Sequence, residues 1–352
     1  MKKGLLWIVL ATLLLGSFDS LAQMNRGAIQ KNNKRIMSYK GRKSNFTKEK
    51  RYLSVGGSLN ALNYYGDLAP RPSVFSTDIS FTRPALAVSI SQRLGPRYTV
   101  TAGLMYGTLR GSDQSADADD MSSGVYRYRR NLSFRNRIKE LSVIASFDVF
   151  ENIATYLSRA PWTPYVFAGV AVFHHNPQAL APETGVDGQP LPQGGQWVNL
   201  HKLGTEGQYA DLLPTDVNYG IEPYKLVQFA IPMGIGVRFK IHEVVDFSGE
   251  IGFRYLFTDY IDDVSRNYVD LGVLDSELAR ALSYRGHELS GPDLEKVMIP
   301  ARNGVVYEHI NGYGYEYPTN MRGQDNNKDV YMVTTLRVSY IVGKTMHKAK
   351  FR

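Results

Sequence analysis

The stretch Val227-Gln-Phe-Ala-Ile-Pro-Met-Gly-Ile-Gly-Val-Arg-Phe239, continued by Val245-Asp-Phe-Ser-Gly-Glu-Ile-Gly-Phe-Arg-Tyr-Leu-Phe257, decides the fold class. In the first run, Val227, Phe229, Ile231, Met233, Ile235, Val237 and Phe239 share one face. Gln228, Ala230, Pro232, Gly234, Gly236 and Arg238 share the other. In the second, Val245, Phe247, Ile251, Phe253, Tyr255 and Phe257 alternate with Asp246, Ser248, Glu250, Gly252 and Arg254, and Gly249 is the one gap in the apolar face. Successive side chains of a strand point to opposite sides, so period two with an apolar face is the mark of a sheet.

Similar alternation recurs along the chain. Eight strands are expected, near residues 52–64, 85–93, 98–108, 140–150, 165–174, 226–239, 245–257 and 330–341. Most are close to the ~9–11 residues that a tilted membrane strand needs. Alternation alone leaves open which face is inside, and a soluble β-sandwich or lipocalin-like barrel would turn its large residues inward. The connections discriminate better. They alternate strictly between short, as in Leu94-Gly95-Pro96-Arg97, and long, the longest following the fifth and seventh strands. Outer-membrane barrels have an even strand number, short periplasmic turns and long outer loops. The expectation is an all-β, eight-stranded antiparallel transmembrane barrel with long extracellular loops and both termini in the periplasm.

Composition agrees. Aromatic residues make up 12%, with 23 Tyr among them, which suits strands and membrane-interface girdles. No apolar run reaches the ~20 residues of a transmembrane helix. The chain has no cysteine, which excludes disulfides and thiolate metal sites. Met1–Lys3, an apolar core over 5–15 and Ser20-Leu21-Ala22 read as a signal peptide over 1–22. The net charge of +8 is local: residues 24–51 carry ten basic groups against Glu49, for +9, and residues 1–23 carry +1. Residues 52–352 are therefore at −2. The domain reading is a signal peptide (1–22), a basic periplasmic arm (23–51), the barrel (52–342) and a periplasmic tail (343–352).

If the apolar face meets lipid, the other lines the lumen. It then carries Arg93, Glu140, Asp148, Arg238, Asp246, Glu250, Arg254 and Arg337, four of each sign. Eight strands leave room for little besides side chains, and isolated charges there are costly. Balanced signs point to an ion-paired structural core that fills the lumen. A charged translocation path is the other reading, although no ring of one sign is present.

The only catalytic-looking group lies at the outer rim: His174 and His175, with Asp259, Asp262 and Asp263. It could activate water, bind Ca²⁺, or cap strand ends and hold loops. The last reading is preferred, so no catalytic, cofactor or metal site is expected. No nucleophile motif, phosphate loop or zinc spacing is present. In the arm, Lys34, Arg35, Lys40, Arg42 and Lys43 could engage an acidic partner or anionic lipid, or belong to a solvated linker. The export signal argues against nucleic acid.

Several segments together resemble the PorG-type outer-membrane barrels of the type IX secretion system. They are Asn63-Tyr-Tyr-Gly-Asp-Leu68, Arg130-Asn-Leu-Ser-Phe-Arg-Asn136, Pro164-Tyr-Val-Phe-Ala-Gly-Val170 with Phe173-His-His-Asn-Pro177, Pro232-Met-Gly-Ile-Gly236, and Arg254 through Ser265. The resemblance spans residues 52–342 and excludes the arm. It implies a non-enzymatic component of a machine serving protein secretion and gliding motility. It also implies association with a periplasmic ring of PorK-type and PorN-type proteins. The alternative is a surface barrel acting through its loops as an adhesin or hydrolase.

Overall fold

The computed structural model describes residues 46, 50–68, 82–116, 124–291, 294–325 and 328–342. The expected signal peptide, nearly all of the expected basic arm and the expected C-terminal tail lie outside the described residues. The chain divides into units 1–47 and 48–352, and every strand belongs to the second.

Eight strands form the barrel: β1 (Leu53–Tyr65), β2 (Arg83–Arg93), β3 (Tyr98–Ser112), β4 (Ser133–Asp148), β5 (Trp162–His174), β6 (Val227–His242), β7 (Val245–Leu256) and β8 (Val330–Val342). Each pairs antiparallel with its neighbours in sequence, and β1 pairs with β8 from Leu53↔Val342 to Tyr65↔Val330. That last pairing closes the sheet and leaves the barrel without a free edge. Residues 94–97, 149–161 and 243–244 link strands at one end, called here the short-turn end. Residues 66–82, 113–132, 175–226 and 257–329 link them at the other, the long-loop end.

Alternation decides the faces. Leu59, Val170 and Ile235 point outward and are 66%, 63% and 63% exposed. With Leu86, Val88, Leu104, Leu141, Phe229, Ile251 and Leu336 they form a continuous apolar belt. Soluble monomers do not expose a surface of that extent, whereas hydrocarbon solvates it without cost. Aromatic side chains bracket the belt. Tyr98, Trp162, Phe239 and Tyr340 stand at the short-turn end, and Tyr106, Tyr255 and Phe257 at the other. Such girdles mark the two interfaces of a membrane barrel.

Six of the strands fall within three residues of their expected bounds. The long-loop ends of β3 and β4 do not: β3 runs to Ser112, and β4 begins at Ser133 instead of near residue 140. Over Ser133–Lys139 the alternation persists but its content inverts. Phe134 and Ile138 are buried inside, while Arg137 and Lys139 are exposed outside. This part of the ribbon stands above the apolar belt, so its outer face is polar.

Candidate functional site: a sealed lumen under a folded loop cap

The lumen is packed from the short-turn end upward. Arg93 pairs with Asp148, and Arg238 Nη1 also reaches Asp148 Oδ2 at 3.3 Å. Asp246 Oδ1 accepts from Arg159 Nε at 2.9 Å and Nη2 at 2.6 Å. Arg159 lies in the link 149–161 and donates as well to the carbonyls of His242 and Glu243, so this link folds across the short-turn mouth. Higher up, Glu250 accepts from Tyr165 Oη at 2.7 Å and pairs with Arg337 at 2.9 Å. Higher still, Glu140 on β4 pairs with Arg254 on β7 at 3.2 Å and accepts from Tyr331 Oη at 2.7 Å. The β4–β7 pair spans the barrel. All eight charges named from sequence lie in these contacts. Arg159, Tyr165 and Tyr331 were not anticipated: Arg159 sits in a link, and a lone Tyr carries no sign of its partner. A cavity of about 30 Å³, lined largely by Ser, Thr and these charges, is left near the short-turn end, room for about two waters.

Above Arg254 the lumen turns apolar. Leu62, Met105, Leu109, Phe134, Ile138, Phe173, Leu256 and Val333 pack together, and Leu68, Leu132, Ile261 and Val264 fold in from the loops. The ion-paired core expected to fill the lumen therefore fills only part of it. The physical reason for the difference is that this end is closed by loops, whose own apolar side chains need partners.

A polar layer ties the cap together. Tyr64 Oη lies 2.7 Å from both Asp262 Oδ2 and Asp329 Oδ1. One hydroxyl has one proton to donate, so a proton on one of the carboxyls must complete the triad. Burial, and then repulsion from neighbouring carboxylates, push both acids well above the ordinary carboxylate range. Gly66 is required here, because a Cβ would lie 2.0 Å from Tyr64 Oη. Asp263, at a backbone φ of 70°, accepts from Thr205 and Tyr224 at 2.6 Å each. Buried Arg322 pairs with Glu206 at 3.0 Å. Asp113 holds Arg127 and Arg130 at 3.2 and 2.7 Å, and the Asp117, Asp119 and Asp120 of that loop lie outside the described residues. A second apolar cluster, including Tyr268, Leu271, Leu274, Tyr284 and Tyr307, gives the 257–329 loop a core of its own.

The rim histidines and aspartates are not assembled for catalysis. His174 ends a strand on the outward face, and His175 is fully buried. The ring nitrogens of His175 face Asn136 Nδ2 at 3.5 Å and the Lys225 carbonyl at 3.1 Å, with no carboxylate among their partners in the described residues. Burial lowers its pKa to about 4, so the ring is neutral near pH 7. His175 stacks on Tyr224. Asp259 accepts from Ser265 Oγ at 2.8 Å, and burial raises its pKa to about 7. Among the described residues, no group of three or more His, Asp or Glu side chains is arranged to hold a metal ion.

A closed eight-stranded barrel, an apolar belt and a packed lumen define a transmembrane β-barrel of the outer-membrane type. A family model described as a domain of unknown function (DUF6089) matches residues 44–189. No curated protein matches the chain. Among solved structures it is similar to Neisserial surface protein A, at 8% identity and a TM-score of 0.34, over 82% of this chain and 96% of that one. It is similar to the outer membrane protein OprG of Pseudomonas aeruginosa at 7% and 0.34, over 86% and 100%. For a major outer membrane protein of Thermus thermophilus the values are 12% and 0.32, over 82% and 99%. The barrel itself is defined by its own strand pairing.

Proposed function

We propose that the protein is a non-enzymatic fixture of the bacterial outer membrane, with both termini in the periplasm, anchoring a periplasmic ring of a type IX secretion machine. The observation that carries the non-enzymatic part is the lumen. It is filled by cross-barrel ion pairs and capped by apolar side chains, and the rim groups that resembled a catalytic set are spent on holding loops. Such a barrel acts through what it holds. The identity of the machine rests on the sequence resemblance. Residues from three of the quoted motifs sit in one assembly: Tyr64, Gly66, Asp67 and Leu68, then Arg130, Leu132, Phe134 and Asn136, and the acids after Arg254 all build the cap.

The partners proposed are membrane lipid and ring proteins of PorK and PorN type. The detergent-solubilised barrel is expected to co-purify with those proteins, and its deletion is expected to block secretion. Charge reversal at Lys40, Arg42 and Lys43, or added salt, is expected to reduce ring recovery. A barrel recovered alone from a strain that secretes normally contradicts the proposal. An adhesin acting through the folded loop surface would give that result together with loss of surface attachment.

A further inference from the structure

The outward face of the β3–β4 ribbon changes character where it leaves the belt. Leu104, Leu141 and Val143 are exposed and apolar, and Tyr106 stands at the upper girdle. Lys139 pairs in register with Tyr106 on one side and His174 on the other. Arg137 lies opposite Thr108, and Arg135 lies directly opposite Arg110. Residues 135, 137 and 139 alternate with inward Phe134, Asn136 and Ile138, so these cations share the outer face. Arg110, Arg137 and Lys139 are exposed. Arg135 is positioned: its Nε donates to Gln178 Oε1 at 3.0 Å, and its guanidinium stacks 3.8 Å above the Trp197 ring.

None of Arg110, Arg135, Arg137 and Lys139 forms an ion pair among the described residues. Like charges directly opposite on a strand pair destabilise it, so this ribbon bears a repulsion that a bound anion would remove. Four cations gather in this sector, whereas exposed Lys225 and Lys328 stand singly just beyond the ends of β6 and β8. The outward positions at the same end of β6, β7 and β8 are Val227, Phe229, Tyr255, Met332 and Val330, all uncharged. The patch also begins at the aromatic girdle, where the headgroup layer of about 5–7 Å lies. An occupant must therefore offer acyl chains to Leu104, Leu141 and Val143 and an anion immediately above them.

We propose that this face is a binding site for the phosphorylated headgroup of a lipid in the leaflet at the long-loop end. The Arg side chains would grip phosphate oxygens in their planar fork, and Lys139 would add a point charge at the level of Tyr106. The assignment of that leaflet rests on the proposed orientation, but the affinity does not, because it can be read in micelles.

The test uses the full-length barrel in neutral detergent. It is titrated with bis-phosphorylated lipid A, with phosphatidylcholine, and with inorganic phosphate, and retained lipid is read by native mass spectrometry. The protein is expected to retain lipid A preferentially, and Arg137→Gln with Lys139→Gln to weaken retention by about fivefold per cation removed. Arg137→Lys with Lys139→Arg should restore most of it. Folding of each variant is checked by its heat-modifiable mobility. Undiminished lipid A retention by the folded Gln variant overturns the proposal, as does equal displacement by inorganic phosphate. An inverted orientation, seen by loop labelling on intact cells, would change the leaflet and leave this result intact.

Discussion

At the scale of single residues, the cross-barrel pair Arg254–Glu140 shows how the lumen is held. Both side chains are buried, so the attraction between them mainly offsets the desolvation of each. Removing one partner is then worse than removing both. Arg254→Met is expected to lower stability by about 3–5 kcal/mol, and adding Glu140→Gln to recover a large part of that, since Tyr331 can still donate. Urea midpoints of the refolded barrels read both. Equal losses in single and double variants would show that the pair contributes beyond neutralisation. The charged lumen residues were legible because period-two alternation assigns each to a face. Arg159 was not, because links have no period. Tyr64 stood in a quoted motif, yet nothing local reveals that its hydroxyl meets Asp262 and Asp329, about 200 and 265 residues away.

Among the elements, the loops of the cap carry an unusual load of buried acid. Burial lifts Asp259 to about 7 and Asp263 and Asp67 to about 6. Acids raised in the folded state contribute stability that is full below about 4 and is lost as pH rises through 6–7. His175 opposes them. Its lowered value makes its contribution full above 6.5 and lost as pH falls toward 4. His309, also lowered by burial, acts in the same direction as His175, and the three raised acids with the Tyr64 triad outweigh the two histidines. Limited proteolysis is therefore expected to cut the 175–226 and 257–329 loops more slowly at pH 5.5 than at pH 8. Equal or faster cutting at pH 5.5 contradicts this account of the cap. Strand bodies were readable wherever lipid meets one face. The ends of β3 and β4 were not, because above the belt the alternation inverts: Phe134 and Ile138 point in, Arg135 and Arg137 out.

At the scale of the whole molecule, strict alternation of short and long links was enough to order eight strands and pair the first with the last. What it could not convey is that the lumen is two-layered. Charges fill the short-turn half, and an apolar plug under folded loops closes the other. Both layers obstruct the axis, and the link carrying Arg159 covers the opposite mouth. A barrel closed in this way conducts no ions along its axis. Single-channel recording on the purified protein in a planar bilayer tests it most directly. A baseline without discrete conductance steps is predicted for protein whose insertion is confirmed independently; steady, reproducible unitary openings would contradict it.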